Sequence, residues 1–136
     1  MNNLQQTLSI IKPDAVERNL DKEIKEIFRK KGFFIKKEKK IQIEKSEAER
    51  FYKVHETKPF YNDLCNYLSS GPIVVMVLEK KNAVLENREL MGSTNPKDAA
   101  EGTIRKKYGI SIDKNSIHGS DSLENAVIEI DFFFKD

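Results

Sequence analysis

Residues 73–79 read IVVMVLE, six apolar residues followed by one acid. The run is too short to span a bilayer and is rich in β-branched side chains. Unbroken apolar character, rather than alternation, marks a strand covered on both faces. A helix precedes it in FYNDLCNYLSSG, residues 60–71, with Phe60, Leu64, Cys65 and Leu68 on one side and Gly71 as the stop. Another follows over about Ala83 to Met91. A central strand between two helices is the frame on which the rest of the chain is placed.

Towards the N-terminus, LSII at residues 8–11 reads as a short strand, ended where Pro13 restricts Lys12 to extended geometry. Ile24, Ile27 and Phe28 share a helical face between Asp21 and Lys31, and Gly32 stops that helix. A second strand is expected in GFFIKKEKKIQI, residues 32–43. Ser46 with Glu49 forms a capping box for a helix running to Pro59. Residues 92–116, rich in Gly, Pro, Asn, Thr and Asp, read as one long irregular loop, which in a single domain marks function. Behind the caps Asp121 and Ser122, Leu123, Ala126, Val127, Ile130, Phe133 and Phe134 repeat at helical spacing. Few short strands alternating with helices suit an α+β sandwich of one domain, residues 1–136.

Composition narrows the function classes. The N-terminus lacks the basic-then-apolar pattern of a signal peptide, so a soluble, cytoplasmic protein is expected with no membrane partner. The single cysteine, Cys65, excludes an intrachain disulfide and a Cys-rich zinc site. With 24 basic and 22 acidic residues, the net charge of +2 does not itself call for nucleic acid. The lysine clusters in RKKGFFIKKEKK, residues 29–40, read as a solvated face. No phosphate-binding P-loop, G-x-G-x-x-G or H-E-x-x-H is present.

The chemistry gathers around NSIHGSDS, residues 115–122, where His118 sits among small polar residues. Arg88, Thr94 and Arg105 lie in or beside the long loop, Asn115 precedes the histidine by three, and Lys12 ends the first strand. Each has a bland alternative: a helix-dipole partner, a surface arginine, a turn residue, a solvated strand end. Together, planar cationic forks and a neutral imidazole are what a polyphosphate and a nucleophile require.

Five blocks then resemble the nucleoside diphosphate kinase family: TLSIIKPDAVERN (7–19), FYKVHETKPFY (51–61), GPIVVMVLE (71–79), RELMGSTNPKDAAEGTIR (88–105) and NSIHGSDS. The resemblance covers essentially the whole chain. It implies a ferredoxin-like α+β sandwich, a small antiparallel sheet covered by helices, with a long active-site loop. It implies transfer of the γ-phosphoryl group of a nucleoside triphosphate to a nucleoside diphosphate, by ping-pong through a phosphohistidine. His118 would attack through Nδ1, with Glu129 and Ser120 orienting it. Lys12, Tyr52, His55, Arg88, Thr94, Arg105 and Asn115 would contact phosphates and ribose, with Phe60 and Ile112 on the two faces of the base. Stacking reads a π-face common to all bases, so base and sugar tolerance is expected. A Mg2+ ion would ride on the phosphates, with no direct protein ligand and Asp121 reaching it through water.

The resemblance also implies a homo-oligomer, and the short C-terminus favours a tetramer over a hexamer. Lys106, Lys107, Asp113, Leu78, Lys58 and Glu101 depart from the family pattern, Asp113 as a like charge near the nucleotide and Glu101 at a subunit contact. The rival reading is a basic ferredoxin-like module that binds single-stranded nucleic acid, supported only by the lysine clusters and lacking an aromatic-glycine-aromatic strand. No specific nucleic-acid partner is expected.

Overall fold

In a computed structural model that describes residues 4–112 and 114–134, the apolar run becomes β3 (Ile73–Lys81), lying between β1 (Leu4–Ile11) and β2 (Phe34–Ile41). A short β4 (Ile117–Gly119) completes the sheet in the order β2-β3-β1-β4, with every neighbouring pair antiparallel. This is the ferredoxin-like arrangement. From Ile73 to Leu78 each residue is buried, because helices cover both faces of the sheet. On one face Ile11, Phe28, Met76, Leu78 and Ile117 share a core. On the other, Leu8, Ile10, Tyr52, Leu68, Val75 and Phe133 form a second. No open sheet face is left among the described central strands for stacking nucleic-acid bases.

The helices are α1 (Pro13–Glu17), α2 (Asp21–Lys30), α3 (Lys45–Phe51), α4 (Tyr61–Leu68), α5 (Ala83–Met91), α6 (Ile104–Tyr108) and α7 (Leu123–Phe133). Gly32 ends α2 with a φ of +88°, a left-handed value that favours glycine. β1 begins four residues before the expected strand, since it pairs with β3 along its whole length.

Several local expectations are corrected. The capping box of α3 is Glu44 with Glu47, not Ser46 with Glu49; Glu47 Oε1 accepts the Glu44 N–H at 3.3 Å. Glu44 is the residue with extended backbone, and a carboxylate serves where a hydroxyl was sought. That helix stops at Phe51 rather than Pro59 and is followed by a single 3₁₀ turn, Lys53–His55. Phe60 caps α4 and is exposed rather than part of its buried side. The long loop contains a 3₁₀ turn at Pro96–Asp98, capped by Asn95, and α6, capped by Thr103. On α7 Ala126 and Phe133 are buried, whereas Leu123 and Val127 face outward with Ile128.

Candidate active site

His118 lies on β4, opposite Ile10 of β1, and not in a turn. A three-residue strand has too few positions to show a period, which is why the sequence hid it. Gly119 is needed there for packing. A Cβ at this position would lie 2.3 Å from Asn87 Nδ2 and 2.8 Å from Met91 Cε, so α5 approaches β4 only over glycine.

Behind the imidazole, His118 Nε2 is 2.8 Å from Glu129 Oε1 on α7. Ser120 Oγ donates to the same carboxylate oxygen at 2.9 Å and accepts the Leu8 N–H at 3.2 Å. A carboxylate can only accept, so Nε2 carries the proton. The neutral ring then has its lone pair on Nδ1. The Phe51 ring meets His118 edge-on at 5.4 Å and packs also on Phe132 and Phe133, fixing the imidazole plane from the apolar side. Phe51 was not singled out in the sequence, where it is one more apolar residue at a helix end.

Beside the histidine stand the cations. Lys12 Nζ donates to Asn115 Oδ1 at 3.0 Å, and Asn115 Nδ2 donates to the Thr94 carbonyl at 3.1 Å. Both Lys12 and Asn115 are buried polar groups. Between Asn115 and β4, Ser116 holds a φ of +76°, a left-handed value strained for a side chain. Arg105, 8 % exposed, donates to the Gly92 carbonyl at 3.0 Å and to the Ile117 carbonyl at 2.8 Å. Its guanidinium is pulled down to about 10 by burial and, secondarily, by the nearby Arg88 charge, and remains cationic at neutral pH. Arg88 donates to the Asp121 carbonyl at 3.4 Å. Arg88, Thr94 and Arg105 line a common cleft of about 580 Å³ with Met91 and Thr103.

The aromatic side is arranged in sequence. Tyr52 is buried, and burial above all, then the nearby Cys65 and Glu129, pushes its phenol well above its ordinary value, so it stays a hydrogen-bond donor. Its ring lies 6.2 Å from His55, which lies 6.0 Å from Phe60. Burial, then Lys58, holds His55 below the usual imidazole range, and its Nδ1 is buried without a partner among the described residues. Phe60 is 44 % exposed, with Lys58 Nζ 5.7 Å from its ring centre, and Ile112 is 54 % exposed. Asp113 lies outside the described residues.

The twelve candidate residues thus fall into a histidine–carboxylate–serine cluster, a group of cations with Asn115 and Thr94, a ring row from buried Tyr52 through His55 to exposed Phe60, and an exposed Ile112 outside that row. Asp121 is the carboxylate at the rim, accepting from Asn125 Nδ2 at 2.6 Å. No described helix is long and apolar enough to cross a membrane.

A family model described as nucleoside diphosphate kinase matches residues 5–136. The chain is 59 % identical over 131 residues to a nucleoside diphosphate kinase of Campylobacter concisus, covering 96 % of each. It is 56 % identical over 131 residues to one from Nitratiruptor sp., again covering 96 % of each. Among solved structures it is similar to the Aquifex aeolicus nucleoside diphosphate kinase, with a TM-score of 0.95, 40 % identity, and 97 % of this chain and 96 % of that one covered. The Encephalitozoon cuniculi nucleoside diphosphate kinase gives 0.93 at 39 % identity, covering 97 % of this chain and 90 % of that one.

Proposed function

Because the chain belongs to the nucleoside diphosphate kinase family, we propose that its γ-phosphoryl transfer runs through Nδ1 of His118. The 2.8 Å contact between Nε2 and Glu129 carries this reading, because it commits the lone pair to the other ring nitrogen. In the first half-reaction the Nδ1 lone pair attacks the γ-phosphorus, and the bond to the β,γ-bridging oxygen breaks. The nucleoside diphosphate leaves with that electron pair. The Nε2 proton stays on the ring, and the positive charge gained by the imidazole is balanced by Glu129, itself held by Ser120. A second nucleoside diphosphate then takes the phosphoryl group by the reverse path.

The remaining residues act by positioning. Lys12, Arg88, Thr94, Arg105 and Asn115 take the phosphates and ribose, with Tyr52 and His55 as neutral partners at the edge. Phe60 and Ile112 hold the base by its faces, which gives broad base and sugar tolerance. Asp121 is the residue that would meet a phosphate-bound Mg2+ ion, through water. One hard carboxylate would suit an ion that keeps most of its waters. When bound, that ion neutralises charge on the phosphates. The protein acts in the cytoplasm as a homo-oligomer, a tetramer rather than a hexamer, which light scattering on the purified protein tests.

Binding of single-stranded nucleic acid is not favoured, since the matches are to phosphotransferases and both faces of the central strands are covered. The two readings separate on incubation with γ-labelled ATP. The kinase gives an acid-labile, base-stable phosphoprotein that is discharged by any nucleoside diphosphate. A binding module gives no labelled protein.

A further inference from the structure

Away from the transferred group, a buried carboxylate sits in the first turn of α1. The Asp14 side chain is 3 % exposed, and a charge so placed must be fully paired. Its Oδ2 accepts from Ser116 Oγ at 2.7 Å and from Arg18 Nη2 at 3.1 Å. Its Oδ1 accepts from Tyr67 Oη of α4, whose oxygen takes the Asp14 N–H at 2.9 Å. Arg18 does more than neutralise the acid. Its Nε donates to the Asp14 carbonyl at 2.9 Å, and Nη2 also reaches the Tyr108 carbonyl at the end of α6, 2.6 Å away, and Ser116 Oγ at 3.3 Å.

The segment held by these bonds is Ser116, fully buried, with its strained φ of +76°. A non-glycine residue keeps such a backbone only where its surroundings over-determine it. Ser116 is fixed at its hydroxyl by Asp14 and Arg18, and its carbonyl accepts the Lys12 N–H at 2.8 Å. One residue earlier, Asn115 grips Lys12 Nζ and the Thr94 carbonyl. The backbone of Ser116 therefore sets where the Asn115 amide points.

We propose that Arg18 is a positioning residue for phosphate transfer: through Asp14 and Ser116 it holds Asn115 and Lys12 in register for the polyphosphate. It touches no reacting atom. The inference rests on the reading that Lys12 and Asn115 meet the nucleotide.

The test is a double-mutant cycle on kcat/KM for ATP, with urea midpoints measured alongside. Arg18→Ala should lower kcat/KM about tenfold in the wild-type background. In the Asn115→Ala background the same change should cost less than about twofold, because the path from Arg18 to the Lys12 ammonium runs through Asn115 Oδ1 and is already cut. Ser116→Gly removes the hydroxyl bond to Asp14 but adopts φ above zero without the strain of a side chain, and that relief offsets the lost bond in stability. It should keep its urea midpoint yet lose kcat/KM, a split that a merely structural brace would not produce. A full tenfold loss from Arg18→Ala in both backgrounds, or Ser116→Gly at wild-type kcat/KM, overturns the inference. Wild-type kcat/KM in Asn115→Ala alone overturns the site reading beneath it, and the inference with it.

Discussion

Replacing Glu129 by Gln keeps the shape of the contact with His118 and removes its charge. The donor–acceptor distance is 2.8 Å, and both side chains are 19 % exposed, so the pair is mostly shielded from water. At an effective dielectric of about 20, a full unit of positive charge on the ring would interact with the carboxylate by about 6 kcal/mol at that distance. With about half a charge developed at the transition state, the differential is about 3 kcal/mol. A glutamine whose oxygen still accepts from Nε2 retains a neutral hydrogen bond worth about 1 kcal/mol. The net loss of about 2 kcal/mol corresponds to about 30-fold in the rate of phosphoenzyme formation. On the proposed reading Glu129 acts on the ring and not on the phosphates, so KM should stay within about twofold of wild type. Quenched-flow measurement of labelled His118 against ATP concentration reads both quantities. A rate within about threefold of wild type would refute the electrostatic argument. So would a loss expressed wholly in KM.

His118→Gln should abolish both phosphoenzyme and transfer, whereas His55→Gln should retain stoichiometric phosphoenzyme at a rate about ten- to a hundredfold lower, the size of one charge-assisted contact; the labelled-protein assay shows both. His55, held below its ordinary value by burial and Lys58, binds a proton more readily when unfolded, so it contributes stability that is present above the unfolded value of about 6.5 and lost as pH falls through the lower folded one. Urea midpoints of His55→Gln should accordingly fall less than those of wild type between about pH 7 and 5, and parallel curves would contradict this. Gly119→Ala drives a methyl into Asn87 and Met91 and should cost about 1–3 kcal/mol, read as a lower denaturation midpoint. A preference for one base beyond about a thousandfold would require edge hydrogen bonding and refute stacking on Phe60 as the means of base recognition.

What was legible in the sequence follows from which interactions are local. The unbroken apolar run of β3 and the capped helix α5 depend on neighbours close in sequence, and the expected Ala83–Met91 matches the observed helix. The short β4 depends on pairing with β1, more than a hundred residues away, and left no periodic trace. α3 was drawn too long because Tyr52 turns into the core and ends the helix, a tertiary effect stronger than helix propensity. At the site, residue types and motif order pointed to Lys12, Arg105, Asn115 and His118, while the packing of Phe51 on the imidazole and the brace from Arg18 to Ser116 exist only once α1, α3, α6 and β4 are brought together.

On the proposed reading, the partners of the two arginines suit a phosphate chain better than a structural role. Among the described residues, neither Arg88 nor Arg105 forms an ion pair with a carboxylate; they donate to the carbonyls of Asp121, Gly92 and Ile117. Carbonyl oxygens accept from a guanidinium without cancelling its charge, and Arg105 Nε is buried with no partner among the described residues. Arg88 also lowers the affinity of Arg105 for its proton, so the two cations repel each other within one cleft. On that reading, two guanidiniums without an ion pair cost stability in the unliganded protein and hold positive charge where a polyphosphate would bind and relieve the repulsion, with Glu89 the one acid among the described residues of the cleft lining.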